Sequence, residues 1–514
     1  MSVARSVAAG PAGVAAALVG VGTAELLAGI FAPTSSPLAS VGAIVIDLAP
    51  PWAKETMIGL FGTADKPALI TLLVIVIASL AFPIGMLERR RPPFGTLLIA
   101  AFGVLGVFAT ASRPDAGLLA TVPAAAGTVV AALVLRRILR GPRRTVYISP
   151  ERAAAEAAQN GRIERRAFLR TAGVLSIAGI AAVAVGQWAG ASARRARELI
   201  GSITLPKPST AVSAVPADAS FDIPGISPLI TSNDAFYRID TALVVPEIDP
   251  AEWSLRITGM VEEEIEISWD ELLALPLEES YATLSCVSNE VGGDLISTAK
   301  WLGYPVRLLL QRARPLPDAD MVLSISSDSF TAGTPIEALT DDRNAIVAVA
   351  MNGEPLPPEH GFPARLVVPG LYGYVSATKW VVELKVTRFD EVDAYWTQRG
   401  WGAKGPVKLS SRIDVARTDP DASSVTLAGV AWSPHVGISA VEVQIDDGEW
   451  QLAQLAGELT VDTWRQWRID LTGVTGTHTA TVRATDAEGM VQIATRQGVL
   501  PDGATGYDFL SFTI

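Results

Sequence analysis

The sequence predicts three parts: an all-α transmembrane bundle over residues 1–200, an α+β region over 232–412 reached through a linker at 201–231, and an all-β region over 413–514. Three observations predict this. Hydrophobic residues make up 49% of the 514 and mean hydropathy is +0.34, too apolar for a wholly soluble chain. Long apolar windows are confined to the first 200 residues. Charge divides at the same place: residues 1–200 hold 20 Lys/Arg against 10 Asp/Glu, and residues 201–514 hold 21 against 43, so net charges of +10 and −22 make up the chain's −12.

A spanning helix needs about 20 apolar residues, because the hydrocarbon is roughly 30 Å thick and backbone polar groups within it must pair internally. Windows of that kind lie near 10–31, 67–87, 94–112, 116–136 and 168–189, which predicts five helices in the bilayer. Residues 38–62 are apolar too, but Asp47, Pro50, Pro51, Lys54 and Glu55 interrupt them, as in a loop or a re-entrant piece. Basic residues mark the cytoplasmic side. Arg89, Arg90 and Arg91 follow the second window, and Arg136, Arg137, Arg140, Arg143 and Arg144 follow the fourth. These loops place the region beyond about residue 190 outside the plasma membrane, against the smaller contrary cluster Arg194, Arg195 and Arg197.

Arg165-Arg166-Ala167-Phe168-Leu169-Arg170 precedes the fifth window and looks like a twin-arginine export signal; the plainer reading is basic anchoring of a helix. Glu25 lies inside the first window with no sequence-visible partner, which favours a packing or water-facing role over a functional one. No window contains histidine, so no haem is expected in the membrane region and electrons need another carrier.

Beyond the membrane, Pro206, Pro208, Pro216, Pro224 and Pro228 mark a linker that resists helix. Short β-type runs at 242–245, 253–257, 321–325 and 345–350 alternate with amphipathic pieces at 269–275 and 305–312, an α+β pattern. Strand-like runs then recur at 424–430, 438–446, 467–471, 479–484 and 491–495, separated by turns such as Asp446-Asp447-Gly448. Their spacing predicts an immunoglobulin-like sandwich of roughly 100 residues.

The acidic second part lacks the clustered Lys/Arg that nucleic-acid phosphates require. One cysteine, Cys286, excludes an intramolecular disulfide, and the three histidines are His360, His435 and His478. A lone cysteine is ordinarily a small buried hydrophobe. With so few Cys and His, a zinc site of three or four protein ligands is a poor fit. A single thiolate suffices for a metal only where an organic cofactor brings the other donors.

Several blocks in fixed order carry a family resemblance. They are Cys286-Val287-Ser288-Asn289, Ile296 to Gly303, Met351-Asn352-Gly353-Glu354-Pro355, His360-Gly361-Phe362-Pro363-Ala364-Arg365, and Ser376-Ala377-Thr378-Lys379-Trp380. Over residues 230–410 the chain resembles the sulfite-oxidase type of molybdopterin oxidoreductase. The resemblance implies a molybdenum-molybdopterin cofactor with Cys286 as thiolate ligand to the metal. It implies that Arg365 and Lys379 pair with the pterin phosphate, and that Asn233, His360 and the backbone of Ala377, Thr378 and Lys379 hydrogen-bond the pterin. Ser232, Asp234, Phe236 and Tyr237, around Asn233, belong to the same cofactor-binding segment, and Asp328 is a looser carry-over. The family's sandwich is a dimerisation domain, which implies a homodimer.

The departures bear on substrate. Sulfite oxidases gather arginines around their anion, whereas this sequence offers Ser232, Glu290-Val291 and Gln497, with Arg496 as a partial substitute. Trp401, after Trp396, takes the position of the family's active-site tyrosine and is the second catalytic candidate after Cys286. The expectation is two-electron oxygen-atom transfer at the outer membrane face, on a small molecule or oxidised side chain other than sulfite. The alternative is a membrane-tethered binding or assembly protein that keeps the fold without turnover.

Overall fold

The computed structural model describes residues 9–31, 36–50, 65–112, 119–139, 173–183 and 203–514 except 420 and 422, with a few isolated positions between them. The chain divides into two compact units, residues 1–199 with 241–247 and residues 200–240 with 248–514.

The first unit contains α1 (Gly10–Phe31), α2 (Pro37–Leu48), α3 (Asp65–Arg90), α4 (Phe94–Ala111) and α5 (Val122–Leu139). Among the described residues, four helices, all but α2, are long and apolar enough to cross a membrane. The fifth predicted window is described as helix only over Gly173–Val183; the Arg165-Arg166 pair lies outside the described residues. At 12 residues, α2 extends about 18 Å, short of the hydrocarbon thickness.

Small residues let the helices meet backbone to backbone. A Cβ on Gly20 of α1 would stand 2.6 Å from Ala131 Cβ and 2.7 Å from Gly127 O of α5, and one on Gly13 would stand 2.0 Å from Ala81 O of α3. Such close approach suits lipid, where no hydrophobic force drives apolar helices together. Large side chains, among them Leu72, Ile75, Leu105, Phe108 and Leu133, point outward instead. Glu25 is buried and does have partners: its carboxylate accepts from Ser36 Oγ at 2.8 Å and from Leu38 N at 2.9 Å. The carboxylate thus satisfies an otherwise orphaned N–H at the start of α2, a packing role.

The second unit opens with β1 (Ser254–Gly259) and β2 (Ile265–Ser268), followed by α6 (Trp269–Ala274), β3 (Glu278–Ser285), β4 (Ile296–Pro305) and α7 (Val306–Ala313). Then come β5 (Met321–Ser326), β6 (Thr331–Pro335), β7 (Ile346–Met351), β8 (Glu354–Pro355), β9 (Arg365–Val367), α8 (Gly373–Ser376) and β10 (Val381–Thr387). One sheet runs β2-β1-β10-β5-β6, with β1 and β10 parallel; the other runs β3-β4-β7-β8 with β9 on β7. All six residues of β7, Ile346 to Met351, are buried, so the strand is covered on both faces. Helix α7 buries Val306, Leu309, Leu310 and Ala313, the one-face spacing of an amphipathic helix. Ser268 and Glu271 close a capping box at the start of α6.

The C-terminal region is two four-stranded antiparallel sheets. β11 (Ser410–Asp419), β12 (Ser424–Trp432), β16 (Arg465–Thr472) and β15 (Gln454–Leu455) form one, and β14 (Trp450–Leu452), β13 (Ile438–Ile445), β17 (Thr477–Asp486) and β18 (Asp508–Thr513) form the other. β3 is tied to this region: Thr283 N donates to Asp462 O at 2.9 Å, and Trp464 N donates to Thr283 Oγ1 at 2.8 Å.

Two predicted strands are absent. Residues 242–245 form no regular element, and the 491–495 run yields one isolated bridge, Thr485 to Val491. There the Gln492 side chain replaces a ladder: it accepts from Ser411 Oγ and Ala484 N and donates to Gly506 O. The strands β11 and β18, by contrast, were not foreseen from the hydrophobic pattern.

Candidate functional site

Three segments converge. The first begins where β3 ends. Cys286 N donates to Leu295 O at 2.9 Å, Asn289 N donates to Cys286 O at 3.1 Å, and Asn289 Oδ1 accepts from Leu295 N at 2.9 Å. Asn289 therefore closes the 286–295 loop, and Arg412 pins it from β11 by donating to Gly293 O. The Cys286 thiol is buried, and burial pushes its pKa up, although hydrogen bonds from Ser288 and Val287 oppose this. Such a thiol stays protonated near neutrality until a strong Lewis acid displaces the proton.

The second segment runs from Pro358 to Lys379. Gly361 has φ of 111°, a backbone that favours glycine, and a Cβ there would stand 3.0 Å from Arg365 Cβ and 3.1 Å from Lys379 Cβ. The two cations thus flank one glycine. Arg365 is buried and donates to His360 O at 3.1 Å and, more weakly, to Ala377 O and Leu366 O at 3.4 Å, with its guanidinium 5.2 Å from the Trp301 ring centroid. Among the described residues no carboxylate forms an ion pair with it. Burial lowers its pKa to about 10, so it remains charged at neutral pH.

Lys379 differs from the expectation of an ammonium reserved for phosphate: its Nζ donates to Asp240 Oδ2 at 2.6 Å and to Glu359 O at 3.0 Å. Asp240 also accepts from Arg238 Nε at 3.1 Å. His360 sits among Arg365, Lys379 and Arg238; burial and these charges lower its pKa to about 4. The neutral ring meets Asn233 O through Nε2 at 3.0 Å, and a carbonyl can only accept, so Nε2 carries the proton.

The third segment precedes these. Phe236 packs edge-on against Trp301 and His360 at 5.7 and 5.5 Å, a core contact. Tyr237 stacks on it at 5.4 Å, and burial, with the nearby Cys286, raises its pKa while Arg365 lowers it. The phenol is therefore within electrostatic reach of both thiol and guanidinium. A Cβ on Gly373 would stand 3.5 Å from Ala377 Cβ, 3.7 Å from Tyr237 OH and 3.8 Å from Ser285 O, ordinary contact distances that leave room between the segments.

The remaining predicted residues divide. Asn233 turns inward, accepting from Asn352 Nδ2 at 2.8 Å and donating to Met351 O at 3.4 Å and Glu354 Oε2 at 3.3 Å, and Ser232 and Asp234 are exposed. The Thr378 hydroxyl meets Ser324 Oγ at 2.7 Å, and its carbonyl accepts from Leu366 N at 2.9 Å. Asp328 occupies the β5–β6 turn, where its carboxylate accepts from Phe330 N, and the turn reaches Trp380 through Ser327 N. Trp401 is buried against Tyr374 and Trp396 at 5.9 and 6.1 Å, and its Nε1 has no hydrogen-bond partner. Arg496 lies 5.7 Å over the Phe509 ring. Arg238, Asp240 and Gly373 were missed: the first two are an ordinary surface-type charge pair in sequence, and nothing marks the glycine.

Among the described residues, no group of three or more His, Cys, Asp or Glu could hold a metal ion. One buried thiol together with the buried cations Arg365 and Lys379 instead fits a metal carried by an anionic group that supplies its own sulfur donors.

Residues 242–396 match the family model described as oxidoreductase molybdopterin binding domain. Mouse mitochondrial sulfite oxidase is 30% identical over 289 residues, covering 47% of this chain and 52% of that protein. An uncharacterized oxidoreductase of Bacillus subtilis, YuiH, is 29% identical over 157 residues, 30% of this chain and 76% of that protein. Tomato NADH nitrate reductase is 30% identical over 179 residues, 30% of this chain and 19% of that protein. The chain spans about half the length of the sulfite oxidases it matches. The cofactor these matches imply is molybdenum-molybdopterin.

Proposed function

From the sulfite-oxidase type of molybdenum oxidoreductase, to which this chain belongs, we propose a membrane-anchored enzyme that transfers an oxygen atom at the outer face of the plasma membrane. The observation that carries this reading is the pairing of a buried Cys286 thiol with a buried Arg365 guanidinium, both close enough to Tyr237 to act on its charge, the latter without a carboxylate ion pair among the described residues.

When bound, the cofactor supplies a two-electron redox centre. Cys286 holds the metal, on a loop fixed by Asn289 and Arg412. Arg365 and Lys379 take the pterin phosphate, the first through its planar fork and the second as a point charge. Neutral His360 orients the pterin and Tyr237 lines it, while Gly373 leaves the necessary width. The net reaction adds oxygen from water to the substrate with release of two protons and two electrons, or the reverse. Sulfite oxidase and nitrate reductase, both matched here, run in opposite directions, so either direction suits the fold.

A substrate other than sulfite is supported by the missing arginines and by Arg496, which rests over Phe509. Trp401 offers a buried N–H suited to an uncharged oxygen on the substrate. Anchoring by five spans, export through the twin-arginine route, an immunoglobulin-like sandwich and homodimer formation complete the reading, with a separate carrier to exchange electrons. Metal analysis tests it: one molybdenum per chain, lost in Cys286→Ser, is the expected result, and a molybdenum-free wild type ends the proposal. A dye-linked screen against sulfite, sulfoxides and N-oxides then assigns the substrate.

A further inference from the structure

We propose that Asn352 is a positioning residue that fixes the ring proton of His360 through Asn233, so that His360 offers a bare Nδ1 as acceptor to an N–H donor of the pterin. The proposal rests on the reading of this pocket as the seat of the pterin. Asn352 and Gly353 join β7 to β8 with φ of 53° and 87°. A two-residue hairpin turn with both residues left-handed accepts Asn, Asp or Gly at its first position, so the turn alone does not call for an amide. The amide is used outside the hairpin. Its Oδ1 accepts from Lys300 N at 3.0 Å, and its Nδ2 donates to Thr231 O at 2.9 Å and to Asn233 Oδ1 at 2.8 Å. A backbone N–H on one side and a backbone carbonyl on the other leave that amide a single orientation. Asn233 is fixed in turn: its oxygen faces Asn352, and its Nδ2 faces two acceptors, Met351 O at 3.4 Å and Glu354 Oε2 at 3.3 Å.

Asn233 thus commits its side chain to the hairpin, and what it brings to the site is its carbonyl, which meets His360 Nε2 at 3.0 Å. The ring is neutral at neutral pH and carries one proton, which the carbonyl holds on Nε2. Nδ1 is then an acceptor, and among the described residues no hydrogen bond reaches it. A pterin carries ring and exocyclic N–H groups that such an acceptor suits; the other tautomer sets N–H against N–H. Aspartate at 352 has the same shape and suits the same turn, but it has no donor and faces two oxygens, those of Thr231 and Asn233. The Asn233 amide then turns over, and residues 231–233 lose their tie to the turn after β7.

The test is magic-angle-spinning NMR of the full chain with isotope-labelled histidine rings, made in a host unable to synthesise the pterin. Nitrogen shifts report which ring atom bears the proton, and with three histidines in the chain the His360 signals are those lost in His360→Gln. At neutral pH, wild-type His360 is expected wholly as the Nε2–H tautomer; a wild type with the proton on Nδ1 overturns the proposal whatever the variants do. In Asn352→Asp and Asn352→Gly, roughly a tenth or more of His360 is expected with its proton on Nδ1. When pterin is supplied, its retention is expected to fall about tenfold, the effect of one buried hydrogen bond. A merely structural turn residue gives lower stability with an unchanged His360 pattern, and that result overturns the proposal. If the aspartate variant does not fold, the glycine variant, which adds no charge, decides by the same criterion; if neither folds, Asn233→Ser breaks the link from its other side and decides. Failure is separable from that of the enzymatic reading: full molybdenum with His360 unmoved by the variants refutes only the role of Asn352, whereas a molybdenum-free chain whose tautomer shifts as stated refutes only the oxidoreductase.

Discussion

Replacing Arg365 by methionine separates cofactor binding from folding. The guanidinium is buried, and the fall of its pKa from 12.5 to about 10 corresponds to about 3 kcal/mol against the charged form, at about 1.4 kcal/mol for each tenfold. Against that stand its hydrogen bonds to the carbonyls of His360, Ala377 and Leu366, two of them long, each contributing about 1 kcal/mol. The terms nearly cancel, so cofactor-free Arg365→Met should unfold within about 1 kcal/mol of wild type. With phosphate bound, the missing cation at about 4 Å removes about 4 kcal/mol per charge in an effective dielectric near 20. Even half of that lowers cofactor retention more than tenfold. Denaturant melts of cofactor-free protein, with molybdenum and pterin assays after dialysis, read both effects. Wild-type retention, or a loss of stability beyond 3 kcal/mol without cofactor, would refute the reasoning.

Other perturbations test neighbouring parts of the site. His360 has a folded pKa of about 4 against 6.5 unfolded, so the unfolded chain binds the extra proton in that interval. Stability should fall by up to about 3 kcal/mol as pH drops from 6.5 to 4, and His360→Gln should flatten that part of the melting profile. Gly373→Val directs methyl groups toward Tyr237 OH and Ser285 O without backbone strain; the melting temperature should hold while pterin content drops severalfold. Gly361→Ala meets both a left-handed φ and the crowding of Arg365 and Lys379, and should destabilise the protein by about 1 kcal/mol or more in chemical unfolding. Glu25→Ala removes the acceptor of Leu38 N, and a loss of about 1–3 kcal/mol should lower the thermal midpoint of the detergent-solubilised chain.

The parts of the fold legible in the sequence were those whose burial leaves a period. Helix α7 declares itself through Val306, Leu309, Leu310 and Ala313, and β7 through an unbroken apolar run. β11 escaped because Ser410, Arg412, Asp414 and Arg417 dilute an alternation that buries Ile413 and Val415, and 491–495 misled because Gln492, a polar residue, is the anchor. In the candidate site, Cys286, His360 and Arg365 can be singled out from sequence because a motif spaces them. Asp240 cannot, since its meaning depends on two cations, one of them 139 residues away. Glu25 was legible as an oddity, while its acceptor role at α2 depends on Ser36 and Leu38 being brought beside it in space.

The ties that fasten β3 and its following loop to Asp462, Trp464 and Arg412 bear on the order of assembly. The strand and loop that carry the sulfur are held in part by strands whose contacting residues lie 119 and 181 positions later in the chain. A nascent chain that has emerged only as far as Lys379 therefore presents the anion seat without a fixed thiol. Seating of the metal group is on this account a late event, finished on a polypeptide already folded through the sheets of β11 to β18, and truncations that spare every residue of the pocket should still fail to retain molybdenum.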